Sequence, residues 1–367
     1  MYDRVNKWGG AERVLLVLHE MFPDAPLYTS VHSPEKAPWA RVFPKIHTSF
    51  LQKWRWAQDH HEWLASLMPL VFESFGFSRF DLVISVTSEA AKGVITGPKT
   101  KHICYCLTPT RYLWSGYKEY FGDGILRWVT KPIVSYLRKW DKIASFRPDV
   151  IVAISQTVAK RIMDYYGREV KVVYPPLDFH PGGVPLTLLR ATIRGVSGEY
   201  FLVVSRLVPY KRVDLAIQAF NKLGSTLLIV GTGSEAGRLK GMAKKNICFL
   251  GQLTDSELAR YYEKASALIF PQKEDFGLAA IEAQSMGTPV IAYKAGGALE
   301  TVVEGTTGEF FYPQTPESLI KVVQSFDKAK YNPKVLKKHS LKFSKMKFQK
   351  ALMNIISQAQ SVNTPKV

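Results

Sequence analysis

Short runs of Val, Ile and Leu recur along the chain, each followed by a stretch whose apolar residues repeat at helical spacing, and this alternation leaves few folds open. A strand followed by a helix and another strand demands parallel pairing, because the helix returns the chain across the sheet before the next strand starts. The first series has strand-like runs at 82–86, 103–106, 150–154 and 170–174, with helical patterns behind Gly9-Gly10 and over 157–166. The second has runs at 200–204, 226–230, 247–250, 267–270 and 290–293, separated by helical patterns at 213–223, 235–243, 256–265 and 278–286. Thr254 followed by Glu257 predicts a capping box at the third of these helices. Between the two series, residues 175–198 hold prolines 175, 176, 181 and 185 and glycines 182, 183, 195 and 198, the composition of a linker. The reading is α/β with two Rossmann-like domains facing across a cleft, which is the default ligand site. The boundaries predicted are 1–178 for the first domain, 179–198 for the linker, 199–345 for the second domain and 346–367 for a terminal helix and basic tail. Only Met1–Val5 precede Asn6-Lys7-Trp8-Gly9-Gly10, where a parallel sheet needs a full buried strand. A truncated first strand is expected, a short one being the alternative.

Composition narrows the class further. Hydrophobic residues make up 46% of the 367 and aromatics 12%, ample for packed cores and incompatible with a disordered chain. Three cysteines are too few for a disulfide framework, no apolar stretch is long enough to span a bilayer, and the N-terminus lacks a signal-peptide pattern. A soluble, cytoplasmic protein is expected. The formal charge of +18 raises nucleic acid as a partner, but over half of it (+10) falls in the last 47 residues, 11 Lys against Asp327. Residues 181–320 are nearly neutral at +1. With no RRM, helix-turn-helix or zinc-finger frame, no nucleic-acid partner is predicted. All eight Trp lie between Trp8 and Trp140, and residues 50–63 and 126–140 mix Trp with Lys and Arg as interfacial segments do. Contact with an anionic membrane and simple core packing are both open for these segments.

The chemistry concentrates in the second series. In Pro271-Gln-Lys-Glu274-Asp-Phe276-Gly277-Leu278-Ala-Ala-Ile-Glu282, a strand ends, a glycine loop follows and a helix starts at once. That layout aims the N–H groups of Phe276, Gly277 and Leu278 at an anion. Glu274 and Glu282 beside an anion site need hydrogen-bond donors, which sugar and ribose hydroxyls supply; taken singly, Glu282 reads as a surface acid. Arg206 and Lys211, five residues apart on a Pro-bearing loop after a strand, suit a diphosphate, the alternative being an exposed basic loop. Gly231-Thr-Gly233 lacks the third glycine of a dinucleotide fingerprint, and Gly296-Gly297 permits close backbone approach before a helix. No metal site is predicted: His60-His61 reads as solvated, and His102 with Cys104 and Cys106 as core. Walker A and G-x-S-x-G patterns are absent.

With these residues in view the chain resembles glycosyltransferase family 4 over essentially its whole length. Gly9-Gly-Ala-Glu-Arg13, Cys104-Tyr-Cys-Leu-Thr-Pro-Thr-Arg-Tyr-Leu-Trp114 and Val172-Val-Tyr-Pro-Pro176 look most like the GDP-mannose-dependent mannosyltransferases of bacterial and archaeal O-antigen and exopolysaccharide assembly. The resemblance implies the GT-B fold, a retaining hexosyltransferase with neither metal nor cofactor, and a terminal helix packing back on the first domain. It implies that Arg206 and Lys211 bind the donor diphosphate of a nucleotide-diphosphate sugar, that Glu274 meets the donor sugar beside the amides of Phe276, Gly277 and Leu278, and that Glu282 accepts from the ribose. Gly9 and Gly10, with Gly231 and Gly233, complete the donor-binding set, and a glycan or lipid-linked molecule is the acceptor, at the cytoplasmic face of a membrane. Where relatives carry His the chain has Leu107 and Glu89, and Ser115 stands for a common Asp. His102, five residues before Leu107 or about 17 Å along a strand, cannot substitute. Leu107, Arg111 and Glu89 are therefore the acceptor-side candidates. Two alternatives stay open: a UDP-sugar donor, and a catalytically silent GT-B protein that binds nucleotide-sugar or scaffolds an assembly.

Overall fold

The computed structural model describes residues 1–54, 56, 61–117, 120, 122, 124–179 and 198–361. Most of the predicted linker, the tail beyond residue 361 and His60 lie outside the described residues. The chain forms two units, Met1–Pro176 with Lys345–Val367, and Leu177–Ser344.

In the first unit the strands are β1 (Leu27–Thr29), β2 (Ile46–Thr48), β3 (Leu82–Thr87), β4 (Lys101–Cys106), β5 (Val150–Ala153) and β6 (Lys171–Val172). β1 pairs with β2, and β3-β4-β5-β6 form a parallel ladder. Tyr2 bridges both Thr29 and Val86, and Val5 bridges His32, so Met1–Val5 lies between β1 and β3 and joins the two sets. Strand order therefore runs outward in both directions from Met1–Val5 and β3, a doubly wound arrangement. The runs read at 82–86, 103–106 and 150–154 are strands, while 170–174 shortens to Lys171–Val172 ahead of Pro175, which has no N–H for a ladder.

Helices α1 (Gly10–Met21), α2 (Met68–Glu73), α3 (Ile125–Ala144) and α4 (Gln156–Tyr166) connect these strands. The inward stripe of α1 is Val14, Leu15, Val17 and Leu18, all buried. On α4, Ser155 caps the Val158 amide, and Gly167 ends the helix in the left-handed region at φ 71°.

The second unit holds β7 (Tyr200–Val204), β8 (Thr226–Val230), β9 (Ile247–Gly251), β10 (Leu268–Phe270), β11 (Val290–Tyr293) and β12 (Gly308–Phe311). They form one parallel six-stranded sheet in the order β12-β11-β10-β7-β8-β9. Its helices are α5 (Val213–Leu223), α6 (Ala236–Met242), α7 (Asp255–Lys264), α8 (Leu278–Ser285), α9 (Ala298–Thr301), α10 (Pro316–Ser325) and α11 (Pro333–Ser340). Alternate strand residues face opposite sides. Leu202, Leu228, Leu268 and Val290 pack with Tyr262, Ala280 and Ala283 on one face. Val203, Ile229, Ile269 and Ile291 pack with Leu215, Phe220 and Leu319 on the other. Each such side chain taken out of water contributes roughly 1.5–3 kcal/mol. The predicted capping box is present: Thr254 Oγ1 accepts from the Glu257 amide, and the Thr254 amide donates to Glu257 Oε2.

Residues 177–179, read from sequence as the end of the first domain and the start of the linker, pack in the second unit. The Leu177 amide donates to the Phe343 carbonyl, and Phe179 enters the second core against Tyr262. After Ser344 the chain returns to the first unit as α12 (Lys345–Ser361), which buries Phe348, Leu352, Ile355 and Ile356. Phe348 meets the Tyr105 ring edge-on, and Lys171 Nζ donates to Gln358 Oε1.

Candidate active site

In the second sheet the strand order reverses between β7 and β10, the position where the loops of an open parallel sheet part and a ligand enters. Arg206 and Lys211 follow β7, and Glu274 follows β10, so the expected diphosphate and sugar residues flank this one point. Lys211 Nζ and Glu274 Oε1 form an ion pair, with the two side chains 12% and 15% exposed. Between the cations stands Tyr210. Its hydroxyl accepts from Arg206, and its ring centroid lies 5.2 Å from Lys211 Nζ and 6.0 Å from Arg206 Cζ. Sequence reading missed this aromatic, although it sits in the same loop.

The glycines hold these loops. The Ser205 amide donates to Val230 and the Leu207 amide to Thr232, which draws the loop after β7 against the loop after β8. A Cβ at Gly231 would stand 1.9 Å from the Ser205 carbonyl oxygen, and one at Gly233 would stand 2.2 Å from that of Leu207. Both glycines therefore touch the backbone that carries Arg206. Gly297 does the same beyond β11: its amide donates to the Glu274 carbonyl, and a Cβ would come within 2.3 Å of Phe276 Cα. Phe276 is itself buried, edge-on to Phe343 at 5.4 Å. Gly277 precedes α8, and the amides of Gly277 and Leu278 head that helix, ahead of any turn that could accept from them. Glu282 is not a surface acid. It is buried, and Tyr262 OH donates to its Oε2 at 3.1 Å.

Gly9, Gly10, Glu89, Leu107 and Arg111 belong to the first unit. They too follow the carboxyl ends of parallel strands, Glu89 after β3 and Leu107 after β4, while Gly9 caps α1 in extended backbone that any residue adopts. Glu89 pairs with Arg4 at 2.5 Å. Buried Asp3 holds the loop behind Glu89, accepting from Thr87 Oγ1 and from the amides of Ser88, Ala90 and Ala91. Burial raises the Asp3 pKa and the Glu89 charge adds to it, against the amides. The loop after β4 is fixed by a second centre that the sequence did not disclose. Asp141 accepts from Lys92 Nζ at 2.6 Å, Thr110 Oγ1 at 2.9 Å, Trp114 Nε1 at 2.7 Å and Tyr166 OH at 2.7 Å. Burial works against the Lys92 charge, yet the adjoining Asp141 raises its pKa on balance.

His102, Cys104 and Cys106 are buried in β4, with His102 Nε2 2.8 Å from Ser85 Oγ. Burial lifts the Cys104 thiol to about 11. Among the described residues no group of three or more His, Cys, Asp or Glu is placed to hold a metal ion. A cavity of about 180 Å³ in the first unit is lined by Leu15, Leu18, Phe22, Leu27 and Phe80. Its lining includes Leu27 and Leu82, the first residues of β1 and β3, and none of the candidate residues.

The family Glycosyl transferases group 1 matches residues 191–343, the segment that holds Arg206, Lys211, Gly231, Gly233, Glu274 and Glu282. A protein of Methanocaldococcus jannaschii, named as the uncharacterized glycosyltransferase MJ1607, is 30% identical over 301 residues, 76% of this chain and 72% of that one. The chain belongs to the group 1 glycosyltransferases. Within this group, the D-inositol 3-phosphate glycosyltransferase of Acidothermus cellulolyticus is 32% identical over 186 residues, 44% of this chain. The match spans 41% of the length of that relative. Among solved structures, Anabaena Alr3699/HepE in complex with UDP-glucose superposes with a TM-score of 0.72 over 97% of this chain and 98% of that one, at 19% identity. This group 1 glycosyltransferase therefore has the GT-B fold, with two Rossmann-like domains.

Proposed function

We propose that this chain is a retaining hexosyltransferase that moves mannose from GDP-mannose to a glycan or lipid-linked acceptor. The observation that carries the reading is the Lys211–Glu274 pair at the reversal of strand order, with Arg206 on the same loop. A nucleotide-diphosphate sugar presents two anionic phosphates next to a neutral ring of hydroxyls. Lys211 and Arg206 meet the phosphates and take up the charge that develops as the diphosphate leaves, where placed cations act most strongly. Glu274 accepts from a sugar hydroxyl, the amides of Phe276, Gly277 and Leu278 face the anion, and Glu282, oriented by Tyr262, accepts from the ribose. No step in this scheme draws on a cofactor or a metal.

Thermal unfolding in the presence of GDP, UDP and ADP, followed by NMR of the product formed from the best donor, tests the proposal. GDP is expected to raise Tm most, by the mass-action stabilisation of a bound state, and GDP-mannose to yield an α-linked mannoside. A larger shift with UDP would move the donor to the UDP-sugars, and a β-linked product would remove retention. Binding of GDP-mannose without turnover, over a range of glycan and lipid-linked acceptors, would leave a silent binding protein.

A further inference from the structure

Trp8 stands on the loop after Met1–Val5, directly before Gly9, at the carboxyl edge where an open parallel sheet takes its ligands. Its ring is fixed by two neighbours. The guanidinium of buried Arg13 lies 5.5 Å from the ring centroid, and Trp39 meets the ring at 6.1 Å and 53°. Trp39 is tied in turn to the same loop, its Nε1 donating to the Lys7 carbonyl at 2.7 Å. Trp8 is nevertheless 39% exposed, and Gly9 and Gly10 after it have no side chain to cover the ring. An aromatic ring oriented by packing yet left in water is pre-organised for a partner.

Polar and apolar groups stand beside it on the same edge. Arg4, four residues before Trp8, holds Glu89 at 2.5 Å, and Glu89 follows β3, the strand next to Met1–Val5. The Leu107 amide donates to the Thr87 carbonyl at 2.8 Å, which sets Leu107 one strand further along. Trp8, Glu89 and Leu107 thus follow three adjacent segments of the sheet, spaced about 4.8 Å apart, close to the width of one pyranose ring. A pyranose has a face of C–H groups and a rim of hydroxyls. The face packs on the electron-rich face of an aromatic ring, and the hydroxyls donate to a carboxylate. A nucleotide base fits less well, since the cations proposed for its diphosphate, Arg206 and Lys211, belong to the second unit.

We propose that Trp8 is the platform on which a pyranose ring of the acceptor stacks, with Glu89 taking its hydroxyls and Leu107 lining the same subsite. An axial hydroxyl on the stacked face would hold the ring off Trp8, so the platform discriminates between epimers. The inference deepens the proposed function and rests on it only for calling this sugar the acceptor.

Fluorine NMR of the full chain carrying 5-fluorotryptophan reads the contact without any transfer step, the Trp8 resonance being assigned by its loss in Trp8→Phe. The probes are the methyl glycosides of mannose, glucose, galactose and N-acetylglucosamine. At least one is expected to shift the Trp8 resonance, and the four are expected to do so unequally. No shift with any of them, or a shift with GDP and with no glycoside, would overturn the proposal. In transfer assays Trp8→Ala is expected to raise the acceptor KM about ten-fold and to keep the nucleotide-induced thermal shift, with Trp8→Phe restoring most of the affinity. Trp8→Phe leaves Arg13 and Trp39 a ring to pack on, so the NMR arm stands even where the alanine variant does not fold. A rise in the donor KM instead would give Trp8 to the donor and overturn the proposal. Loss of every nucleotide-induced shift in the parent chain, with the glycoside shift of Trp8 intact, would defeat the donor assignment and leave the sugar platform standing.

Discussion

Lys211 has one ammonium, and the carboxylate of Glu274 already holds it. On the proposed reading a diphosphate wants the same ammonium, so Glu274 is a competitor for the phosphates as well as a ligand for the sugar. The two roles come apart in Glu274→Gln, which keeps the shape and removes the charge. This variant is expected to bind the free nucleoside diphosphate at least as tightly as the parent in calorimetry while losing transfer. Lys211→Ala removes a group that stabilises the leaving diphosphate, and kcat is expected to fall by about 10²–10³-fold. Weaker diphosphate binding by Glu274→Gln would show that Glu274 supports the phosphate site directly, and the competition would be wrong. Glu282 illustrates what spacing alone withholds. Its place one turn into α8 is consistent with a surface acid, and only the fold brings Tyr262, twenty residues earlier, onto its carboxylate.

At the scale of elements, each candidate loop is held by a device behind it: glycine contacts for the Arg206 loop, and the Lys92–Asp141 centre for the loop after β4. That centre ties α3, α4 and the turn at Thr110–Trp114 together with both charges almost wholly out of water. Lys92→Met removes one partner and strands a buried carboxylate, which costs about 3–5 kcal/mol. The double variant Lys92→Met with Asp141→Leu removes both charges and is expected to recover part of that loss, still leaving Thr110, Trp114 and Tyr166 without their acceptor. A double-mutant cycle in urea measures the coupling, and additive losses would show that the pair contributes nothing as a pair. The same elements show what was legible beforehand. β3, β5, β7, β8, β9, β10 and β11 stand on runs rich in Val, Ile and Leu, β4 on the stretch Ile103-Cys-Tyr-Cys106 with one aliphatic residue and no breaker, and the Thr254–Glu257 box is local by nature. β1 (Leu-Tyr-Thr) and β2 (Ile-His-Thr) each hold a single aliphatic residue and do not stand out from their surroundings, and Met1–Val5 joins the sheet only by bridges. The loops carrying Arg206, Lys211 and Glu274 were legible because their motifs are contiguous. Tyr262 on Glu282 and Asp141 beneath the β4 loop were not, since contacts between distant residues leave no local pattern.

For the whole molecule, the division of the chain is not the division of the fold. The first unit is completed by α12, which the chain delivers only after the second unit, and half of the +18 resides in the segment that leads there and in α12 itself. The charge that suggested nucleic acid thus belongs to helical surfaces near the end of the chain, while the site for a diphosphate rests on placed cations in a nearly neutral segment. Leu352 lies fully buried on α12, and Leu352→Ala opens a cavity expected to cost about 2–5 kcal/mol. Because that helix packs with α1 and β4, the loss should be confined to the first unit. Hydrogen exchange by mass spectrometry resolves the two units by their peptides. Faster exchange is expected across residues 1–176 and 345–361, with residues 198–344 unchanged. Equal loss of protection in 198–344 would mean that α12 is as much a part of the second core as of the first, and that the units unfold as one.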